Sequence, residues 1–112
     1  MREAVLDLAK DAINGPRESN YGSPYANHKR IADIWSAMTG YEFTPSMVSA
    51  MMIGIKLARA KEDIGVLDNW VDIAGYSAIT WEIINEERKA GVKKQYHSQR
   101  FSNNDTEELS EE

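Results

Sequence analysis

The chain of 112 residues contains no cysteine, which excludes a disulfide framework and any thiolate metal site. It also lacks a long apolar run. Its richest stretch, SMVSAMMIGIKLARA, is broken by Lys56 and Arg59 and is too short to span a bilayer. The N-terminal MREAVLDLAKDA is amphipathic and mixed in charge, without the continuous apolar segment of a signal peptide. No glycine-rich phosphate loop, HExxH, zinc spacing, nucleophile-elbow serine or internal repeat is present. These absences predict a soluble, cytoplasmic protein that does not engage membranes.

A basic stripe is missing too. The net charge is −5, with 13 Lys and Arg against 18 Asp and Glu. Residues 1–90 carry 10 bases and 13 acids, and residues 91–112 carry 3 and 5. Nothing in this balance would track a phosphate backbone, so sequence-specific DNA binding is not expected.

What is present is helical punctuation. Apolar spacing predicts a first helix over Arg2–Ile13, with Val5, Leu8, Ala9, Ala12 and Ile13 on its inner stripe. Gly15 suits a left-handed C-cap, and Pro16 cannot continue the ladder. Ser23 and Pro24 form an N-cap and first-turn pair opening helix two, whose apolar face is expected to be Ile31, Ile34, Trp35 and Met38; Gly40 closes it. Thr44 and Pro45 repeat the device for helix three. There Val48, Met51, Met52 and Ile55 make one stripe, while Ala50, Ile53 and Leu57 lie on other faces. A helix apolar nearly all round is central to its bundle or covered by a second subunit. Helix four is expected to start near Asp68 and run to about Lys89. The fold class is therefore all-α: a four-helix core over residues 1–91, expected to form a homo-oligomeric helical bundle. Residues 92–112 read as a polar, acidic tail, disordered from about Asn103, in which Tyr96 and Phe101 could dock.

The stretch LDNWVDIAGYSA sets Asp68 and Asp72 four residues apart, able to share one helix face. If helices three and four form an antiparallel hairpin, Lys56 falls near Asp72, and Arg59 near Asn69 and Asp68. Two readings stay open. In the plainer one, Asp68 caps the helix and the bases are salt-bridge partners. In the sharper one, Asp72 and Asp68 hold Mg²⁺ with Asp33 of helix two, the nearest acid on another helix, while phosphate oxygens meet Lys56, Arg59 and Asn69. Glu82 and Glu86 lie further along helix four. Gly75, inside a helix, costs roughly 1 kcal/mol relative to alanine. Its expected compensation is the close approach of another helix or of a large side chain such as Trp35, with the Tyr76 hydroxyl at the crossing. Asn27, His28 and Arg30, on the first turns of helix two, suit an anion site or an ordinary capped surface helix. His28 and His97 are both expected at the surface, and Trp35, Trp70 and Trp81 in the core or an interface.

Taken together, NYGSPYANHKRIADIWSAMTG, FTPSMVSAMMIGIKLAR and DNWVDIAGYSA resemble an uncharacterised family of small phage and prophage proteins. The matching positions are Tyr21, Gly22, Pro24, Asn27, Arg30, Ile31, Ala32, Trp35, Lys56, Arg59, Asp68, Asp72, Gly75 and Tyr76, and the resemblance covers about residues 1–90. Ser46 and Met47 stand where that family carries an acidic pair. More distantly, the chain is similar to the all-α MazG-like and dimeric dUTPase group, which bind magnesium through ExxE and ExxD motifs. Asp72 fits the second motif; the first is not recognisable, with Asp33 alone on its helix. The resemblance implies a phage nucleotide-associated protein of the Mg²⁺-dependent nucleoside triphosphate pyrophosphatase kind, in an infected or lysogenic host. The alternatives are a non-catalytic protein that sequesters a nucleotide signal or inhibits a host protein, and a structural or assembly protein.

Overall fold

The computed structural model describes residues 1–15 and 22–91. Four helices make up the described chain: α1 (Arg2–Ile13), α2 (Pro24–Thr39), α3 (Pro45–Glu62) and α4 (Leu67–Lys89), with no strand among the described residues. His97, Tyr96, Phe101 and the acidic tail lie outside them.

The entry signals act as their chemistry requires. Ser23 Oγ accepts the Ala26 N–H at 3.1 Å, and Thr44 Oγ1 accepts the Met47 N–H at 3.2 Å, each ahead of a first-turn proline. Gly40 stops α2 in the left-handed region, at φ 78°, where its N–H bonds Ser36 O. Two caps differ from expectation. Asn14, not a left-handed Gly15, ends α1. Val66 stands at the cap of α4, so Asp68 lies inside the first turn, beside the positive end of the dipole.

The helix α4 is the spine: it pairs with α3 as a hairpin and also packs against α1 and α2. The buried apolar centre is small, comprising Ala9, Ala32, Val48, Ala60, Val71 and Ile83. On α2 the inner residues are His28 and Ala32, whereas Ile34 and Met38 are 57% and 76% exposed. The expected apolar face is thus rotated: small Ala32 and the flat His28 ring allow close approach and turn the longer side chains outward. On α3, Val48 is buried but Met51 and Ile55 are exposed. Its inward face is lined instead by Pro45, Ser46, Ser49 and Ala60.

Those inward hydroxyls are bonded. Thr80 Oγ1 donates to Tyr76 O at 2.6 Å, so its single proton is spent and Ser49 donates to it at 2.7 Å. Glu87, fully buried, accepts the Ser46 backbone N–H at 2.8 Å and so places a carboxylate at the N-terminus of α3. No helix among the described residues is long and apolar enough to cross a membrane.

Candidate functional site

Where α1, α2 and α4 meet, the surface opens into a cavity of about 140 Å³. Its apolar walls include Ala12 and Ile13 from the end of α1 and Val71 and Ile79 from α4. Its polar edge is Asn27 and His28 from α2 with Asp72 and Tyr76 from α4. The α4 residues recur at 71, 72, 75, 76 and 79, one face of a helix with 3.6 residues per turn. Gly22, at φ 81°, and Pro24 close the side nearest the start of α2.

His28 is buried, contrary to the surface position expected for it. Its Nδ1 lies 2.7 Å from Pro24 O, and a carbonyl only accepts, so Nδ1 carries a proton. The ring meets Tyr76 edge-on at 6.2 Å. A histidine bonding to the carbonyl four residues back stays within its own helix, which presses it inward beside Ala32.

Asp72 Oδ2 pairs with Lys56 Nζ at 2.9 Å, across the hairpin as the antiparallel register predicts. Lys56 is largely covered and Asp72 half-exposed, so the carboxylate is pinned by a nearly buried ammonium at the cavity edge. The remaining sequence candidates do not gather there. Asp33 is exposed and pairs with Lys29 at 3.1 Å. Arg30 Nη2 donates to Asn27 Oδ1 at 3.3 Å, which ties it to the cavity rim. Asn69 is buried in the first turn of α4; Arg59 and Asp68 are exposed, and no ion pair joins them among the described residues. Among the described residues no three His, Asp or Glu side chains come together to hold a metal ion. Asp33 pairs with Lys29 and Asp72 with Lys56, and neither joins Asp68 in such a group.

Gly75 sits on the cavity wall and is buried. A Cβ built there would meet Ile13 Cγ2 at 3.4 Å, the edge of ordinary van der Waals contact, and the neighbour is α1, not Trp35. Packing alone thus leaves room for a methyl group. The tryptophans serve the scaffold: Trp35 meets Phe43 edge-on at 5.8 Å, Trp70 Nε1 donates to Ile64 O at 2.9 Å, and Arg88 lies 5.6 Å over Trp81.

Residues 4–89 match the model of the family described as Domain of unknown function (DUF6378). The chain belongs to this family. Among the relatives of this DUF6378 member is the Gene 55 protein of Mycobacterium phage L5, 46% identical over 77 residues, which are 68% of this chain and 49% of that protein. The Gene 55 protein of Mycobacterium phage D29 is 36% identical over 96 residues, 86% of this chain and 63% of that protein. The DUF6378 chain thus spans about half to under two thirds of the length of these relatives. No solved structure matches it. The match runs from the first turn of α1 to the end of α4 and includes every residue that lines the cavity.

Proposed function

We propose that this member of a phage protein family is a nucleotide-binding protein that takes a planar base into the cavity between α1, α2 and α4 and holds it without hydrolysis. The observation that carries this reading is Gly75. A glycine inside a helix costs roughly 1 kcal/mol relative to alanine, and here the fold has space for a Cβ against Ile13. What the missing side chain preserves is the cavity it lines.

The chemistry of the lining supports a base. A dry cavity near 150 Å³ accepts a six-membered aromatic ring, and the apolar walls here enclose about 140 Å³. The polar edge supplies a carboxylate for ring N–H groups at Asp72, a carboxamide at Asn27 and an imidazole at His28. Phosphates would lie outside, toward the positive end of α2, with Lys56 and Arg30 as the nearest of the expected phosphate-binding cations. Lys56 is already engaged by Asp72 and Arg30 by Asn27, so ligand charge would be met by re-partnering. A phage protein binding a nucleotide in this way acts by withdrawing it, the sequestering role.

Calorimetry and thermal shift with ribo-, deoxyribo- and cyclic nucleotides, with and without Mg²⁺, test the proposal. The expected result is stoichiometric binding of one base class, independent of Mg²⁺, with the ligand recovered intact on denaturation. Asp72→Asn weakens it at least tenfold. Mg²⁺-dependent release of pyrophosphate would replace sequestration by the hydrolase activity that the MazG-like resemblance implies. Absence of binding by every nucleotide would overturn both.

A further inference from the structure

A second feature lies away from the cavity, on the solvent face of α3. At 3.6 residues per turn, Met47, Ala50, Met51, Gly54, Leu57 and Ala58 form one stripe, opposite the buried Val48, Ser49 and Ala60. Of these, Met51 and Leu57 are 43% and 50% exposed, Ala50, Gly54 and Ala58 are exposed, and Met47 is half-buried. The outer face of a surface helix is ordinarily polar; here the first charge on the stripe is Lys61, in the last turn. Among the described residues nothing requires glycine at Gly54: a Cβ built there meets none of them within 4 Å.

The stripe is close to a palindrome about Gly54. Ala50 and Ala58 lie four residues to either side, Met51 and Leu57 three, and Gly54 is at the middle of the helix Pro45–Glu62. An isologous two-fold contact sets each residue against its mirror position on the other copy, so mirror positions must be complementary; small against small and large against large meet that condition around Gly54, and Met47 falls opposite Lys61. Two α3 helices laid antiparallel with Gly54 on the axis would set Ala50 against Ala58 and Met51 against Leu57. The missing side chain at the centre lets the backbones approach.

The chain on either side of α3 is apolar and exposed as well. Met38 and Tyr41, both 76% exposed, precede its start, and Ile64 and Leu67, 75% and 50% exposed, follow its end. Antiparallel pairing brings the first pair on one copy toward the second pair on the other. Those that share the face of the stripe would extend the seam beyond the two helices, and specific dimers bury roughly 800 Å² per partner. The helix dipoles also complement each other, positive N-terminus beside negative C-terminus. We infer that the protein forms a two-fold dimer in which α3 packs antiparallel on α3 of a second copy across Gly54. This rests on the α3 face alone and stands or falls separately from the cavity.

Sedimentation equilibrium of the full chain over the micromolar range tests it, together with two variants. The wild type is expected to double its mass with rising concentration. Gly54→Glu, which has open space in the isolated fold, is expected to stay monomeric with unchanged helicity. The chain has no cysteine, so Gly54→Cys can cross-link only to its counterpart, and mild oxidation is expected to give a covalent dimer at micromolar concentration. Asp7→Cys, exposed on α1, is the control and is expected to cross-link at least tenfold more slowly. A wild type that remains monomeric throughout, a dimer that survives Gly54→Glu, or equal cross-linking of the two cysteine variants would overturn the inference.

Discussion

Glu87, near the end of α4, holds the backbone N–H of Ser46 in the first turn of α3 at 2.8 Å, across 41 positions of sequence. The carboxylate is fully buried, and its Oε1 has no hydrogen-bond partner among the described residues. It joins the far ends of the hairpin: Lys56 and Asp72 tie one part of α3 to α4, and Ser46 and Glu87 tie the other.

This contact makes Glu87 a stability residue. Glu87→Ala removes a charge-assisted bond and leaves a buried N–H unmet, a loss of about 2–3 kcal/mol. Glu87→Gln keeps the acceptor oxygen and is expected to cost about 1 kcal/mol, chiefly the charge lost at the helix N-terminus. Urea denaturation of both variants checks the order, and equal stabilities would show that the charge contributes nothing.

For Gly75 the two readouts should move in opposite directions. Gly75→Ala gains helix propensity of up to about 1 kcal/mol, offset in part by the 3.4 Å approach to Ile13 Cγ2. The variant should melt no lower than the wild type while its nucleotide affinity falls at least tenfold. If affinity is retained, the methyl group is not in the ligand's way and the glycine is not there for the cavity.

The Lys56–Asp72 pair should matter more to binding than to folding. Asp72 is 39% exposed and Lys56 14%, so the pair lies between solvent-open pairs, worth about 0–1 kcal/mol, and buried ones, whose breakage costs about 3–5 kcal/mol. Asp72→Asn, which keeps an oxygen acceptor for Lys56, is therefore expected to lower stability by about 1–2 kcal/mol in denaturant titration. Loss of several times that amount would make the carboxylate a structural group first.

The two N-caps offer a calibration. Ser23→Ala and Thr44→Ala each remove a side-chain acceptor from a first-turn N–H, for about 0.5–2 kcal/mol. Thr44 is buried and also contacts Ser46 Oγ at 3.3 Å, so its loss should lie at the upper end. Thermal melts of both variants decide the order.

The helices were legible because their signals are local. Ser23-Pro24, Thr44-Pro45 and Gly40 act through bonds to residues two to four positions away, whatever the rest of the chain does. The hairpin register was legible for the same reason: a short turn fixes which residues face one another, and Lys56 met Asp72. The inward faces were less so. Periodicity marked Ile34, Met38, Met51 and Ile55 as core, yet all four are exposed, since a helix with apolar residues on several sides does not declare which side its neighbours will cover.

His28, Asn27 and Tyr76 show the rest. Asn27 and Tyr76 belong to one family pattern and His28 stands beside the first, yet nothing in the sequence says that 27–28 and 72–76 face one another across a cavity. The sequence by itself determined four helices, the caps at Ser23, Gly40 and Thr44, the hairpin pairing and a family shared with phage proteins. Only the tertiary structure decided that the start of α2 and the face of α4 around Gly75 would enclose one cavity with the end of α1. It also decided that Asp33 would stay outside that cavity. Helix ends follow from short-range hydrogen bonding, whereas a cavity follows from the rotation and crossing of whole helices, which depend on every side chain buried between them.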